Sequence, residues 1–189
     1  NGCITTKTVT LTEPNPVTIT CASDNTSCKG LSDGKIKVTS VTSDVGGPYK
    51  VSVDQIAGGN NDISESTQAI PYETTVGKGT YVITVKDKNG CIARCTTIVK
   101  DGFTPAINCS ITQIACFGGK GTITATASGT DADGSPVAST YDYVLSGAAS
   151  ASNTTGIFTG LSAGTYTVTA TKTGNSGCSV ACTGNVIVE

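Results

Sequence analysis

Nine cysteines at a fixed offset, in a chain without histidine, constrain these 189 residues more than any other feature. They are Cys3, Cys21, Cys28, Cys91, Cys95, Cys109, Cys116, Cys178 and Cys182. Cys3 and Cys91, Cys21 and Cys109, and Cys28 and Cys116 are each 88 residues apart, whereas Cys91 and Cys178, and Cys95 and Cys182, are 87 apart. A constant offset over most of a chain marks an internal repeat. Two whole repeats fit, residues 14–101 and 102–189, each entered through a proline-containing joint: Glu13-Pro14-Asn15-Pro16 and Phe103-Thr104-Pro105. Asn1-Gly2-Cys3 matches Asn89-Gly90-Cys91, so residues 1–13 read as the last strand of a preceding repeat. The chain is expected to be a window of a longer array.

Composition sets the class. There are 33 threonines and 23 glycines against 14% charged and 5% aromatic residues, with no Met or Trp. Branched side chains suit a pleated sheet, and glycine supplies the positive φ of tight turns, so an all-β chain of short strands is expected. Several functions drop out. Without histidine there is no Ser-His-Asp triad, Cys-His dyad, His-ligated metal or imidazole switch near neutral pH. Twelve basic residues against 14 acidic, with Arg94 the one arginine, offer no cationic face to a phosphate backbone, so no nucleic-acid partner is expected. The apolar runs are only a few residues long, so no membrane insertion is expected.

Alternation locates the strands. Ile36 and Val38, then Tyr49, Val51 and Val53, then Tyr81, Ile83 and Val85 each alternate with polar or branched neighbours. The second repeat keeps the parity with Ile123, Ala125 and Ala127, Tyr141, Tyr143 and Leu145, and Tyr166, Val168 and Ala170. Because the side-chain period of a strand is two, a slip of one residue would expose every one of these groups. Six or seven such strands in under 90 residues predict a two-sheet sandwich. Leu161-Ser162-Ala163-Gly164-Thr165-Tyr166, and the weaker Val76-Gly77-Lys78-Gly79-Thr80-Tyr81, have the order of a tyrosine corner. There the ring of Tyr166 or Tyr81 fills the core and its hydroxyl returns to nearby backbone, with Gly164 or Gly79 making the turn. Asp87-Lys88-Asn89-Gly90 reads as a type I′ hairpin turn, lengthened in the second repeat to Thr173–Gly177.

The cysteines need non-local partners. Cys91 and Cys95 are four residues apart, about 13 Å along a strand, whereas a disulfide needs Cα atoms about 4.4–6.8 Å apart. Lys7 stands where Cys95 would fall in the leading segment, yet Cys3 persists there, so the two cysteine types belong to different bridges. A tetrathiolate zinc site is the alternative, but the C-x6-C and C-x3-C spacings are not the usual short knuckle. Disulfides in an oxidising compartment fit better.

Cys28-Lys29-Gly30-Leu31-Ser32-Asp33-Gly34-Lys35-Ile36, Gly46-Gly47-Pro48-Tyr49 and the run Gly79-Thr80-Tyr81 through Asn89-Gly90-Cys91 resemble the SprB-type repeat of secreted bacterial surface and gliding proteins. The second repeat matches less closely, since Cys116-Phe117-Gly118-Gly119-Lys120-Gly121-Thr122-Ile123 is one residue shorter and lacks the Asp. The resemblance implies tandem Ig-like (fibronectin III-like) β-sandwich modules preceded by an orphan terminal strand, outside the cell or at its surface, with no catalytic residues and no cofactor. It also implies bridges of the Cys28 with Cys91 kind, which favours Cys28–Cys91, Cys21–Cys95, Cys116–Cys178 and Cys109–Cys182 and leaves Cys3 unpaired. A simple Ig-like topology puts Cys28 and Cys91 at opposite ends of a module, so a bridge from Cys28 to Cys178 of the next repeat stays open. The implied partners are neighbouring repeats or subunits of the same protein, surface glycans or other cells.

Weaker signals complete the reading. Gly129-Thr130-Asp131-Ala132-Asp133-Gly134 has the alternating acids of a calcium loop without the distal bidentate Glu, and Asp-Gly is ordinary turn chemistry. Asn25-Thr26-Ser27, Asn108-Cys109-Ser110 and Asn153-Thr154-Thr155 match the glycosylation sequon, an easy coincidence in a threonine-rich chain. No acid–base pair, nucleophile constellation or phosphate loop appears, so an enzyme is not expected. Two functions remain: a structural and adhesive array, or a filament subunit that donates residues 1–13 as a strand to a neighbour.

Overall fold

The alternation is realised as sheets. A computed structural model describes residues 2–187; Asn1, Val188 and Glu189, which the repeat reading includes, lie outside the described residues. Among the described residues there are 14 strands and no helix, and the fold is an all-β sandwich. The first repeat contributes β1 (Thr18–Asp24), β2 (Gly34–Thr42), β3 (Tyr49–Ala57), β4 (Ile63–Gln68), β5 (Tyr72–Val76), β6 (Gly79–Lys86) and β7 (Ile92–Val99). The second contributes β8 (Thr104–Thr112), β9 (Gly121–Thr130), β10 (Tyr141–Gly147), β11 (Ala151–Asn153), β12 (Ile157–Leu161), β13 (Gly164–Lys172) and β14 (Ser179–Ile187). The sheets run β1-β2-β5 and β4-β3-β6-β7, then β8-β9-β12 and β11-β10-β13-β14. The same three-plus-four order, that of a fibronectin III-like sandwich, recurs at the repeat distance.

The chain packs as two compact units whose limits differ from the repeat boundary. Unit 1 holds the chain up to Ala22, Ile36–Thr74 and Thr80–Thr97; unit 2 holds Ser23–Lys35, Thr75–Gly79 and everything from Ile98 on. The core of unit 1 is the inward set of β2, β3 and β6: Ile36, Val38, Val51, Val53, Tyr81, Ile83 and Val85 are all buried. In unit 2, Ile123 and Ala125, Tyr141, Tyr143 and Leu145, and Tyr166, Val168 and Ala170 are buried with Phe158 and Leu161 of β12. At roughly 1.5–3 kcal/mol for each large apolar side chain, these sets supply the driving force for folding. The outward neighbours, such as Thr126 and Asp142, face solvent.

Two local expectations change. The strand foreseen over residues 1–13 does not form: residues 2–16 pair with no strand, and Ile4, Val9 and Leu11 are exposed. A strand's amides and carbonyls need a partner strand, and these residues have none. The Asp87–Gly90 turn is not type I′, because no non-glycine residue has positive φ and only Gly90, at +85°, is left-handed. The Asp87 carboxylate takes over the turn instead, accepting hydrogen bonds from the amides of Asn89 and Cys91, both at 2.9 Å, and from Ser43 Oγ at 2.7 Å. The Ser43 bond, with the backbone amides behind it, holds the Asp87 carboxyl below the ordinary aspartate range.

Candidate functional site

The sulfurs occupy three kinds of place. Cys21 of β1 is bonded to Cys95 of β7, and Cys109 of β8 to Cys182 of β14, with Cα atoms 6.5 Å apart in both cases. In each pair the two strands are edges of different sheets, so the bridge clips one sheet to the other. The third bridge joins Cys28 to Cys178 with Cα atoms 5.5 Å apart. This corrects the pairings drawn from the resemblance: Cys28 is not bonded to Cys91, nor Cys116 to Cys178. Cys91 and Cys116 are exposed thiols, as is Cys3. The reason is placement: Cys28 lies in a segment of the first repeat that belongs to unit 2, where Cys178 also lies.

That segment is built around Thr26. Its buried hydroxyl donates to the Cys28 carbonyl at 2.9 Å and accepts from the Gly102 amide at 3.1 Å. The backbone then runs alongside the start of the second repeat. Thr26 N donates to Lys100 O (3.1 Å), Phe103 N to Ser27 O (3.3 Å) and Lys29 N to Phe103 O (2.9 Å), which places Cys28 and Phe103 in a parallel bridge. A side chain at Gly102 would overlap the Thr26 carbonyl, so only glycine allows this approach. The buried Phe103 ring has its Cζ end against Gly129, and Lys172 Nζ sits 4.0 Å above its centroid, a cation–π contact.

Charge surrounds this apolar centre. Asp101 pairs with Lys78 Nζ at 2.8 Å and accepts from the Gly30 amide at 3.2 Å. The Lys78 bond, then the amide, keep its carboxyl below the ordinary range. Ser27 N donates to Asp33 Oδ1 at 2.8 Å, and the bonds from Ser27 lower the Asp33 carboxyl. Lys100 Nζ meets Asp133 Oδ1 at 2.7 Å, which raises the lysine and lowers the acid. This last pair is exposed and contributes little to stability.

The acids Asp131 and Asp133 thus form a turn rather than a cation cage. Asp131 Oδ1 accepts from the amides of Asp133 (3.0 Å) and Ser135 (2.9 Å), while Asp133 is occupied by Lys100. Six of the nine sulfurs are in bridges, and among the described residues no three Cys, Asp or Glu side chains gather as metal ligands. Of the sequon residues, Asn108 is exposed on β8, Asn25 accepts from the Lys100 amide at 2.9 Å, and Asn153 caps its own turn through Gly156 N at 2.7 Å.

The tyrosines fill the cores. Tyr166 is buried and its hydroxyl donates to Ser162 O at 3.0 Å, the return contact of a tyrosine corner. Gly164 is needed there, since a Cβ would lie 2.6 Å from that of Ala148. Tyr81 is fully buried, and Gly79 is buried two residues before it. Burial raises the Tyr81 phenol above its ordinary range, partly offset by a hydrogen bond with Asn61. Tyr143, read only as core, also uses its hydroxyl, accepting from Ala127 N at 3.0 Å and so tying β10 to β9 of the facing sheet.

Sequence reasoning missed Thr26, Asp101, Gly102 and Phe103 as one cluster. The available signal was an Asp-Gly pair followed by a lone aromatic in a chain with three phenylalanines. The three bridges indicate an oxidising environment, and no helix long and apolar enough to cross a membrane occurs among the described residues. No protein-family model and no curated protein matches this chain.

Proposed function

We propose that the chain is a non-enzymatic segment of an extracellular repeat array, the stalk or surface fibre of a larger bacterial adhesin, whose repeats supply length and resistance to unfolding. The observation that carries this reading is the Cys28–Cys178 bridge, which joins the turn of one repeat to the hairpin of the next. Such a link serves a protein that must stay joined outside the cell, where oxidising conditions preserve it. The all-β fold and the resemblance of the Cys28–Ile36 and Gly79–Cys91 segments to SprB-type repeats support the same reading. A second reading, a filament subunit assembling by strand donation, draws on residues 2–16, whose exposed Val9 and Leu11 share the parity of Cys3 and pair with no strand.

The test is to find the native polypeptide in its source cells. Surface labelling together with a mass many times the 18.9 kDa of this chain is the expected result. A mass near that of the chain, with assembly into fibres, moves the conclusion to strand donation. A protein held reduced inside the cell overturns both.

A further inference from the structure

Three cysteines are exposed thiols, and two of them repeat the local structure of the bonded pair. In the turn at Cys28, Leu31 N donates to Cys28 O at 3.2 Å, with Gly30 at φ +82°. In the turn at Cys116, Gly119 N donates to Cys116 O at 2.8 Å, with Gly118 at φ +77°. The hairpin cysteines match as well: Asp87 N donates to Cys91 O at 3.0 Å and Lys172 N to Cys178 O at 2.9 Å. The backbone turns are alike, and what differs is the surroundings. Cys28 and Cys178 are buried, whereas Cys116 and Cys91 are exposed.

The neighbouring groups show the same contrast. A Cβ on Gly177, next to Cys178, would lie 2.9 Å from Leu31 Cδ1, because the apolar side chain of the Cys28 turn rests against that hairpin. Gly90, next to Cys91, has nothing within 4 Å of such a Cβ. The apolar side chain beside Cys116 is Phe117, which is 96% exposed. One turn and one hairpin are covered by each other; at the second turn Gly119 stands where Leu31 does, Phe117 is the apolar group offered, and neither that turn nor the first hairpin is covered.

We propose that Cys116 and Cys91 are the outgoing and incoming halves of the Cys28–Cys178 type of bridge, each bonded to another repeat of this kind, so that every turn cysteine is linked to the hairpin cysteine of the repeat after it. The proposal deepens the array reading and rests on it. The partner is a further repeat, in the same polypeptide or in a second copy. The contact is heterologous, turn against hairpin, and therefore extends instead of closing. Two thiols each lose a proton and together give up two electrons as the Sγ–Sγ bond forms. The oxidant is a small-molecule disulfide such as oxidised glutathione, whose own S–S bond is cleaved to two thiols. Cys3 has the hairpin sequence without the hairpin, since residues 2–16 pair with no strand.

The experiment has two arms. Native protein is alkylated without reduction, digested and mapped by mass spectrometry. Cys116 bonded to a hairpin-type cysteine outside these 189 residues supports the proposal with the partner in cis. Cys116 bonded to Cys91 of a second copy supports it in trans. Alkylated Cys116, or Cys116 bonded to a sheet-clip cysteine of the Cys21 type, overturns it. In the second arm the full 189-residue chain, carrying Cys3→Ser, is equilibrated in glutathione redox buffer. Cys116–Cys91 links in about tenfold excess over either symmetric link, equivalent to about 1.4 kcal/mol of docking preference, are expected for a partner in trans. A statistical mixture of the three links overturns docking between copies. Cys116→Ser and Cys91→Ser should each abolish the ladder of oligomers while Cys28–Cys178 stays intact. If Cys28–Cys178 itself is missing from the map, the array reading falls together with the proposal; if it is present and Cys116 is alkylated, only the proposal falls.

Discussion

The two hairpins before β7 and β14 do the same work with different chemistry. In the first, one carboxylate organises the turn, with Asp87 accepting from Asn89 N, Cys91 N and Ser43 Oγ. In the second, the longer Thr173–Gly177 loop has no acid of its own, and Asn175 fills the role: its carbonyl accepts from Cys178 N at 3.0 Å and its Oδ1 from Gly177 N at 3.1 Å. The inward parity is the same in both repeats while the loop chemistry drifts. The sandwich therefore demands the alternation and accepts any loop that satisfies its own backbone.

The largest effect should come from the sheet clips, which both repeats share. Cys21–Cys95 closes a separation of 74 residues and Cys109–Cys182 one of 73, about 4 kcal/mol each on the chain-entropy model. Full reduction should therefore lower the melting temperature by many degrees. An unchanged melt after verified reduction would show that the clips stabilise nothing. The tyrosines come next: Tyr166→Ala should cost about 3–5 kcal/mol in chemical denaturation, and Tyr166→Phe about 1 kcal/mol for the Ser162 bond. A loss below about 1 kcal/mol for the alanine variant would contradict the burial of the ring.

A smaller asymmetry should appear in acid. Asp87 has a folded pKa below its unfolded value of about 4, so its contribution is complete above that pH and is lost as pH falls through the lower, folded value. Amide exchange near Asn89 and Cys91 should accelerate on acidification, beyond the intrinsic pH effect, more than exchange near Gly177 and Cys178. Equal acceleration would mean that the carboxylate does not hold its turn. The smallest effect should follow deletion of residues 1–13, of which residues 2–13 pair with no strand: a stability change within about 0.5 kcal/mol is expected, and a larger loss would reveal a packed segment.

Much of the fold could be read from side-chain parity, since Ile36, Val38, Ile83, Val85, Leu145 and Val168 are buried at the positions that alternation marks. The Tyr166 corner was also readable, because hydrophobe, glycine and tyrosine are local in sequence. The Cys28 partner was readable only as two alternatives, Cys91 and Cys178. Parity tells which face a residue takes but not which end of which repeat its segment joins, and Ser23–Lys35 folds with unit 2. The Asp87 turn was misread because Asn-Gly suggests type I′, whereas a carboxylate two residues earlier can capture the same amides.

The Cys28–Cys178 bridge also decides how the chain answers a pull on its two ends. The residues are 150 apart in sequence, a contour length of about 500 Å when drawn straight. With the bridge closed, tension entering at Cys28 leaves at Cys178 through two sulfur atoms, and the polypeptide between them lies in parallel, carrying slack. Both sandwich cores then sit almost wholly inside the shunted loop. Unfolding them would release hardly any length, so stretching offers little mechanical work to drive it, and the segment behaves as a nearly inextensible tether until it is reduced.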